Sequence, residues 1–399
     1  MASQAAVEKA EASAPAAANT TARPRLLYID NLRILLTTLV VLHHLSITYG
    51  APGDWFFRDP GSLGDLSALL MTLFVAINQS YFMGFFFLIS SYFAPGSYDR
   101  KGPGPYLRDR FIRLGIPLVF YVLVIGWLVH YTLAVNLRGF EGSILALYPL
   151  YLQHFNGGYV GPMWFVEFLL VLSVLYVLWR QFVKNPAAPP AGEAKAPSSL
   201  AIAAFGLAVG LVTFVVRLWM PMGTAFAPMN LQIPFVPQYV AMFVAGLYAH
   251  RRGWLAALSR RTARRWLVAV IALVVLFPIF MVAGVGLDGD PAVVFGGPSW
   301  QALFYAVWEQ LMAVAMIVVL TVWFRERFNR QGGLARAMSG AAYSAYIIHP
   351  LVLVPLAIAL RGVRLDLALK FVLFAPLFVG VTFLLAYGIK QLPVARDIV

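Results

Sequence analysis

The sequence has 399 residues, of which 61% are hydrophobic and only 12% are charged. Soluble globular proteins carry about 25% charged residues, so this composition excludes a soluble enzyme, a disordered protein and a nucleic-acid-binding domain. It is typical of a polytopic membrane protein, in which a net charge of +13 reflects basic loops on the cytoplasmic side. The chain contains no cysteine, which excludes disulfides, thiol nucleophiles and cysteine metal sites.

Ten apolar stretches are long enough to cross the hydrocarbon core of a bilayer, which requires about 20 residues of helix. In chain order they are 27–49, 69–93, 112–136, 160–182, 200–220, 234–250, 266–286, 300–324, 339–360 and 367–389. The apolar stretch 144–155 is short and contains Pro149, so we predict an interfacial or re-entrant segment there. The predicted fold class is an all-α polytopic bundle of about ten transmembrane helices.

Basic residues are distributed unevenly between the two sides of these stretches. With the amino terminus in the cytoplasm, 24 of the 30 lysines and arginines fall on the cytoplasmic side, as the positive-inside rule requires. Both termini are therefore expected in the cytoplasm, and the localisation expected is a bacterial inner membrane. Residues 1–22 are predicted to be a disordered tail, 23–392 a membrane domain with a flexible linker at 185–199, and 393–399 a second tail.

The first apolar stretch carries ionisable residues, which are costly in a bilayer and usually face a partner or an internal cavity. Arg33 and His44 are eleven residues apart, which places them within about 20° of one helix face and about 16 Å apart along the axis. Asp30 lies one turn before Arg33 on the same side. This alignment favours a functional site over the alternative, in which Arg33 reaches the inner interface and the histidine bonds a neighbouring helix.

A second cluster of cations precedes the third stretch. Arg110 and Arg113 are three residues apart, so they share a helix face. At a helix amino terminus, two guanidinium groups would form a receptor for phosphate. The alternative is ordinary positive charge on the cytoplasmic side of the membrane.

Further polar residues lie inside the apolar stretches. They are Asn78, Gln79, Glu167, Glu309 and His349. Glu167 and His44 fall at a similar depth, so we predict a carboxylate–imidazole pair in which the carboxylate orients the ring. Glu309 and His349 both fall near mid-membrane, so they could pair with each other. Structural hydrogen bonds between helices are the alternative for each residue, and no histidine spacing favours a metal site.

Five motifs, in this order along the chain, resemble those of the membrane acyltransferase-3 family, which comprises polytopic bacterial enzymes that acylate glycans. They are Tyr28-Ile29-Asp30-Asn31-Leu32-Arg33 followed by ten residues and His44; FFFLISSYF at 85–93; Arg110-x2-Arg113 with Ile116-Pro117; Met163-Trp164-Phe165-Val166-Glu167; and Tyr343-Ser344-Ala345-Tyr346-Ile347-Ile348-His349-Pro350. The family usually has Ser-Gly where this chain has Ser90-Ser91. The resemblance covers residues 23–390, and the Trp-Phe-Val-Glu segment and the length look most like the glucan biosynthesis protein C branch.

The resemblance implies transfer of an acyl group, acetyl or succinyl, from cytoplasmic acyl-CoA to a hydroxyl of an extracytoplasmic glycan or glycolipid. In the glucan branch it implies succinyl transfer to periplasmic glucans. On this basis Arg110 and Arg113, with Arg33, would bind the phosphates of CoA. His44 would act as general base or, as the weaker alternative, as transient acyl carrier, and Glu167 would orient it. The candidates for stabilising the oxyanion are Asn78, Gln79, Tyr343 and Ser344.

Acyl-CoA would be a co-substrate, and no tightly bound cofactor and no metal are expected. The expected partners are the lipid bilayer, acyl-CoA and the acceptor, without nucleic acid, and self-association into a homo-oligomer is left open. A succinyl donor would favour an additional cation, for which Arg217 is one candidate, although it would serve equally well as an interfacial anchor.

Two other functions fit a bundle with buried ionisable groups. A proton-coupled secondary transporter or flippase is the main alternative, but the sequence shows no repeated halves. A lipid-linked glycosyltransferase usually requires a large outer loop or a soluble domain, and the longest predicted outer loop, 137–159, is small.

Overall fold

The structure is a computed structural model that describes residues 25–153, 157–183, 194–286 and 289–398. It confirms the all-α class, and within these ranges nine helices are long and apolar enough to cross a membrane. The tail predicted at 1–22 lies outside the described residues, as does most of the linker predicted at 185–199.

Fourteen helices and one short hairpin make up most of the described chain, together with a few short 3₁₀ and π turns. The helices are α1 Leu27–Thr48, α2 Asp65–Tyr92, α3 Ala94–Lys101, α4 Pro103–Leu137, α5 Ile144–Gln153, α6 Trp164–Phe182, α7 Ser199–Arg217, α8 Val236–Arg252, α9 Trp254–Ala257, α10 Arg260–Phe280, α11 Trp300–Arg327, α12 Gly333–Ala359, α13 Leu367–Lys390 and α14 Pro393–Ile398. The antiparallel strands β1 Ala225–Phe226 and β2 Leu231–Gln232 form a hairpin between α7 and α8.

Three predicted segments differ from or refine the sequence-based boundaries. The sixth predicted stretch is the helix α8, but its 17 residues end in His250, Arg251 and Arg252, so it is too short and too polar to qualify as a span by itself. The third begins at Pro103 instead of residue 112. The segment around Pro149 forms α5, a separate helix of ten residues, which is too short to span, as predicted.

Helices near the centre of the bundle are distinguished from peripheral ones by their burial. The apolar window of α12 is 78% buried and that of α2 is 67% buried, whereas that of α10 is only 11% buried by the other described helices. Helix α2 packs against α1, α8 and α11, and α12 packs against α1, α4 and α13. Polar side chains on α1, α2, α11 and α12 are therefore shielded from the hydrocarbon by other helices.

Helices α8 and α2 approach each other closely where they cross. A Cβ atom placed on Gly246 would overlap the Ser91 hydroxyl and the Leu88 carbonyl oxygen. Small residues allow transmembrane backbones to approach in this way. The glycine at this crossing is on α8, opposite the Ser90-Ser91 pair of α2.

The Gly246→Ala substitution is expected to destabilise the protein by about 1–3 kcal/mol, because the backbone of α2 has to move away. Thermal unfolding in detergent measures this effect as a lower melting temperature. Gly380→Ala is the matched control, since a Cβ atom added to Gly380 of α13 would meet no neighbouring atom within 4 Å, and alanine favours helix. Equal melting temperatures for the two variants would contradict the crossing described here.

Candidate active site

Helix α1 carries Arg33 and His44, which the sequence analysis predicted to share one helix face. The helix is unbroken from Leu27 to Thr48, so the 3.6-residue period on which the alignment depends applies throughout. At its beginning, Arg33 lies 3.4 Å from the Asp30 carboxylate and 5.2 Å from the ring centre of Phe93. The Arg33 side chain is 40% exposed, so its guanidinium group is open to a ligand at this end of the bundle.

The other two predicted cations lie at the same end. Arg110 is within electrostatic range of Arg33 and stacks at 5.0 Å on Tyr106. The prediction that a helix begins at these arginines was wrong, because α4 begins at Pro103 and continues through both of them. The segment Phe111–Gly115 is π-helical, so Arg110 and Arg113 do not keep the α-helical spacing that was assumed. Arg110 is half-buried and Arg113 is exposed.

Three aromatic rings stack together near the carboxyl-terminal end of α1. The imidazole of His44 stacks on the indole of Trp55 with ring centres 3.8 Å apart and planes inclined by 19°. The His349 ring lies 5.2 Å from His44 and 5.6 Å from Trp55, nearly parallel to both. The Nδ1 atom of His44 is buried and has no hydrogen-bond partner. His44 is therefore held by ring contacts, without a bond that fixes its tautomer.

Helix α12 connects the arginine end to the histidine cluster. The Tyr343 hydroxyl donates a 2.8 Å hydrogen bond to the carbonyl oxygen of Arg113, and six residues further along α12 His349 reaches His44. Between them, the Tyr346 hydroxyl donates to the carbonyl oxygen of Pro162. The His349 Nδ1 atom lies 2.6 Å from the Tyr346 carbonyl oxygen, so it carries the proton, and the buried Nε2 atom is an acceptor without a partner.

Glu167 does not form the predicted bond to His44. Its Oε2 atom is buried without a partner, as is Nδ1 of His44, so these two atoms do not meet. Glu167 lies less than one helical turn beyond Phe165, whose ring is 5.8 Å from that of Tyr346. Because residues two apart on a helix do not share a face, the Glu167 carboxylate points away from the side of α6 that meets Tyr346, and its unsatisfied buried oxygen is a costly feature.

The candidate oxyanion donors have different surroundings. The Asn78 amide lies 3.3 Å from both the Leu39 carbonyl oxygen and Nδ1 of His43, so it ties α2 to α1. Gln79 bonds Tyr239 on α8 instead. Ser344 is buried and its hydroxyl has no partner, which leaves it free to donate.

Glu309 does not pair with His349, although their similar depth allowed it. Glu309 accepts a 2.8 Å bond from Arg217, and both side chains are almost completely buried, at 1% and 0% exposure. Arg217 is therefore neither an interfacial anchor nor a free cation for a succinyl carboxylate. Residue depth alone does not indicate which helices are neighbours, and α11 packs against α7.

Trp55 and a buried ion pair were missed by the sequence analysis. Trp55 lies in the loop between α1 and α2, outside every apolar stretch, and no sequence signal marked it. Asp59 in the same loop forms a 2.8 Å ion pair with Lys370 of α13, with only 2% and 3% of the side chains exposed. Among the residues that the structure describes, no group of three or more potential ligands is arranged to bind a metal ion.

Fold and site together define a multi-pass membrane protein with a buried histidine cluster at one end of α1 and partly or fully exposed arginines at the other. The chain belongs to the acyltransferase-3 family, because residues 26–390 match the family described as Acyltransferase domain. It is accordingly a membrane O-acyltransferase. No curated protein and no solved structure matches the chain at a significant level.

Proposed function

We propose that this acyltransferase moves an acyl group from cytoplasmic acyl-CoA to a hydroxyl of an extracytoplasmic glycan or glycolipid across a bacterial inner membrane. The observation that carries the proposal is the placement of Arg33 and His44 near opposite ends of one unbroken helix. With the arginine end in the cytoplasm, a soluble anionic donor is bound there. The reactive centre then lies in the outer half of the bundle, within reach of an external acceptor.

The donor is proposed to extend between α1 and α12. Arg33, Arg110 and Arg113 would hold the phosphates of CoA through charge-assisted hydrogen bonds. From there the pantetheine arm would follow the α1 face to His44, a distance of about 16 Å, which matches an extended pantetheine in order of magnitude. Tyr343 and Tyr346 would line the α12 side of this route.

His44 is proposed to act as the general base in a direct transfer. The acceptor oxygen attacks the thioester carbonyl carbon while His44 takes the hydroxyl proton. As the C–O bond forms, the C–S bond breaks with its electron pair on sulfur, and His44 returns the proton to give the free thiol of CoA. Ser344 is favoured over Asn78 and Tyr343 as an oxyanion donor, because its hydroxyl is buried and unpaired.

Acyl-CoA is expected to raise the melting temperature of the purified protein in detergent, and the Arg110→Ala/Arg113→Ala double variant is expected to lose most of this effect. At 100 times its dissociation constant a ligand adds about 2.7 kcal/mol to the free energy of unfolding. Comparing acetyl-CoA, succinyl-CoA and free CoA identifies the acyl group, with succinyl expected from the resemblance to the glucan branch.

The matched control is Arg261→Ala/Arg264→Ala, which removes two exposed arginines of α10 and should leave the stabilisation unchanged. Equal losses in the two double variants would indicate nonspecific attraction of anions instead of a donor site. If folded wild-type protein is not stabilised by any CoA derivative, and reconstituted vesicles move a labelled solute, the transporter becomes the better description.

A further inference from the structure

We propose that Trp55 is a positioning residue for the transfer reaction, because its indole ring holds His44 and stabilises the imidazolium that forms when His44 takes the acceptor proton. This inference rests on the proposed role of His44 as general base. Its basis is the stacked geometry, with ring centres 3.8 Å apart and planes inclined by 19°.

No anion contacts His44 in the described part of the chain. The ionisable groups that interact electrostatically with it are His349 on α12 and His43 on α1, and neither carries a negative charge. Glu167, the carboxylate predicted for this role, is not bonded to the ring nitrogen. A base that gains a proton in a buried site requires some group to stabilise the resulting charge.

The face of the Trp55 indole is suited to that purpose. An aromatic face attracts a cation, and tryptophan does so most strongly, with a larger effect where water is excluded. The His44 ring lies within 6 Å of the indole centre, the range over which this attraction operates. Trp55 would thus take the part that a carboxylate plays beside the histidine of other acyl-transfer enzymes.

The loop that carries Trp55 is anchored by Asp59, four residues beyond the indole. The Asp59 amide donates a 2.8 Å hydrogen bond to the Thr48 carbonyl oxygen at the end of α1. Its carboxylate binds Lys370 of α13 in the buried ion pair and also accepts from the Gly61 amide at 3.2 Å. Trp55 is therefore placed over His44 by contacts to two helices and does not depend on stacking alone.

A graded series of Trp55 variants tests the proposal through the pH dependence of turnover. Trp55→Leu is expected to lower kcat by about tenfold at neutral pH, corresponding to about 1.4 kcal/mol, without changing KM for acyl-CoA. Because the imidazolium loses stabilisation, the acidic limb of the kcat profile should move to lower pH. Trp55→Tyr and Trp55→Phe should give intermediate shifts, since their rings attract cations less strongly than indole.

Trp219→Leu is the control, since Trp219 is 73% exposed and is not among the rings stacked in the cluster, and it should leave both kcat and the profile unchanged. An unmoved acidic limb across folded Trp55 variants, whatever their kcat, would overturn the proposal and leave Trp55 a structural residue. If Trp55→Leu does not fold, an unmoved limb in Trp55→Phe has the same meaning. Activity retained by His44→Ala would instead refute the proposed role of His44 as general base, on which the inference about Trp55 rests.

Discussion

Replacement of His44 by alanine or glutamine is expected to lower acyl transfer by about 10²–10⁴-fold, the range over which general base catalysis contributes. The affinity for acyl-CoA should be retained, because His44 lies about 16 Å from the proposed phosphate site. The measurement is transfer of labelled acyl groups to acceptor by purified protein, together with the thermal shift caused by acyl-CoA.

His43 provides a control on the same helix. Its ring faces α2, where it meets Asn78 at 3.3 Å and Phe82 at 5.0 Å between ring centres. His43→Gln keeps a polar group for Asn78 and should retain activity within a few-fold of wild type. The role assigned to His44 would be refuted by near-normal transfer in a folded His44→Gln variant. A retained thermal shift without transfer would support the separation of donor site and reactive centre.

Breaking the buried ion pair between Arg217 and Glu309 is expected to have the largest effect on stability. Removing one member of such a pair leaves an uncompensated charge and typically costs about 3–5 kcal/mol. The cost is high here because the surroundings are apolar. The guanidinium carbon of Arg217 lies 5.0 Å from the ring centre of Phe235 and 5.8 Å from that of Tyr305. Glu309→Leu and Arg217→Met should each lower the melting temperature and the yield of folded protein.

The double variant Arg217→Met/Glu309→Leu should recover most of this loss, because apolar side chains of similar size require no desolvation. Glu326→Gln is the control, since Glu326 pairs with Arg260, whose side chain is 74% exposed, and surface ion pairs add little stability. A double variant that is as unstable as the single ones would show that the pair serves a further purpose, such as orienting Gln310, which donates to Glu309 at 3.1 Å.

This ion pair belongs to a polar network that no single sequence stretch indicated. Gln238 of α8 donates to Gln310 at 2.9 Å and also to the carbonyl oxygen of Ser80 on α2. The network thus connects four helices, α2, α7, α8 and α11, through Ser80 on α2, whereas Asn78 of α2 bonds to α1. These bonds support a structural role in holding α2 against α8 and α11.

Sequence alone determined those properties that depend on one helix at a time. Hydropathy located nine spans and the shorter α8, because each apolar segment must bury itself in lipid or protein whatever its neighbours are. The helical period placed Arg33 and His44 on one face, which holds because α1 is unbroken. The π-helical segment Phe111–Gly115 was not predictable in this way, because it depends on local hydrogen bonding that hydropathy does not report.

Only the tertiary structure decided which polar groups meet. His44 and His349 are 305 residues apart, and Arg217 and Glu309 are 92 apart, and depth in the membrane permits several pairings for each. Neighbours in a membrane bundle are selected by close packing of small residues such as Gly246 and by hydrogen bonds between helices, which single-helix patterns do not encode. The same holds for Trp55. It lies in a loop without periodicity, so its contact with His44 is visible only in the tertiary structure.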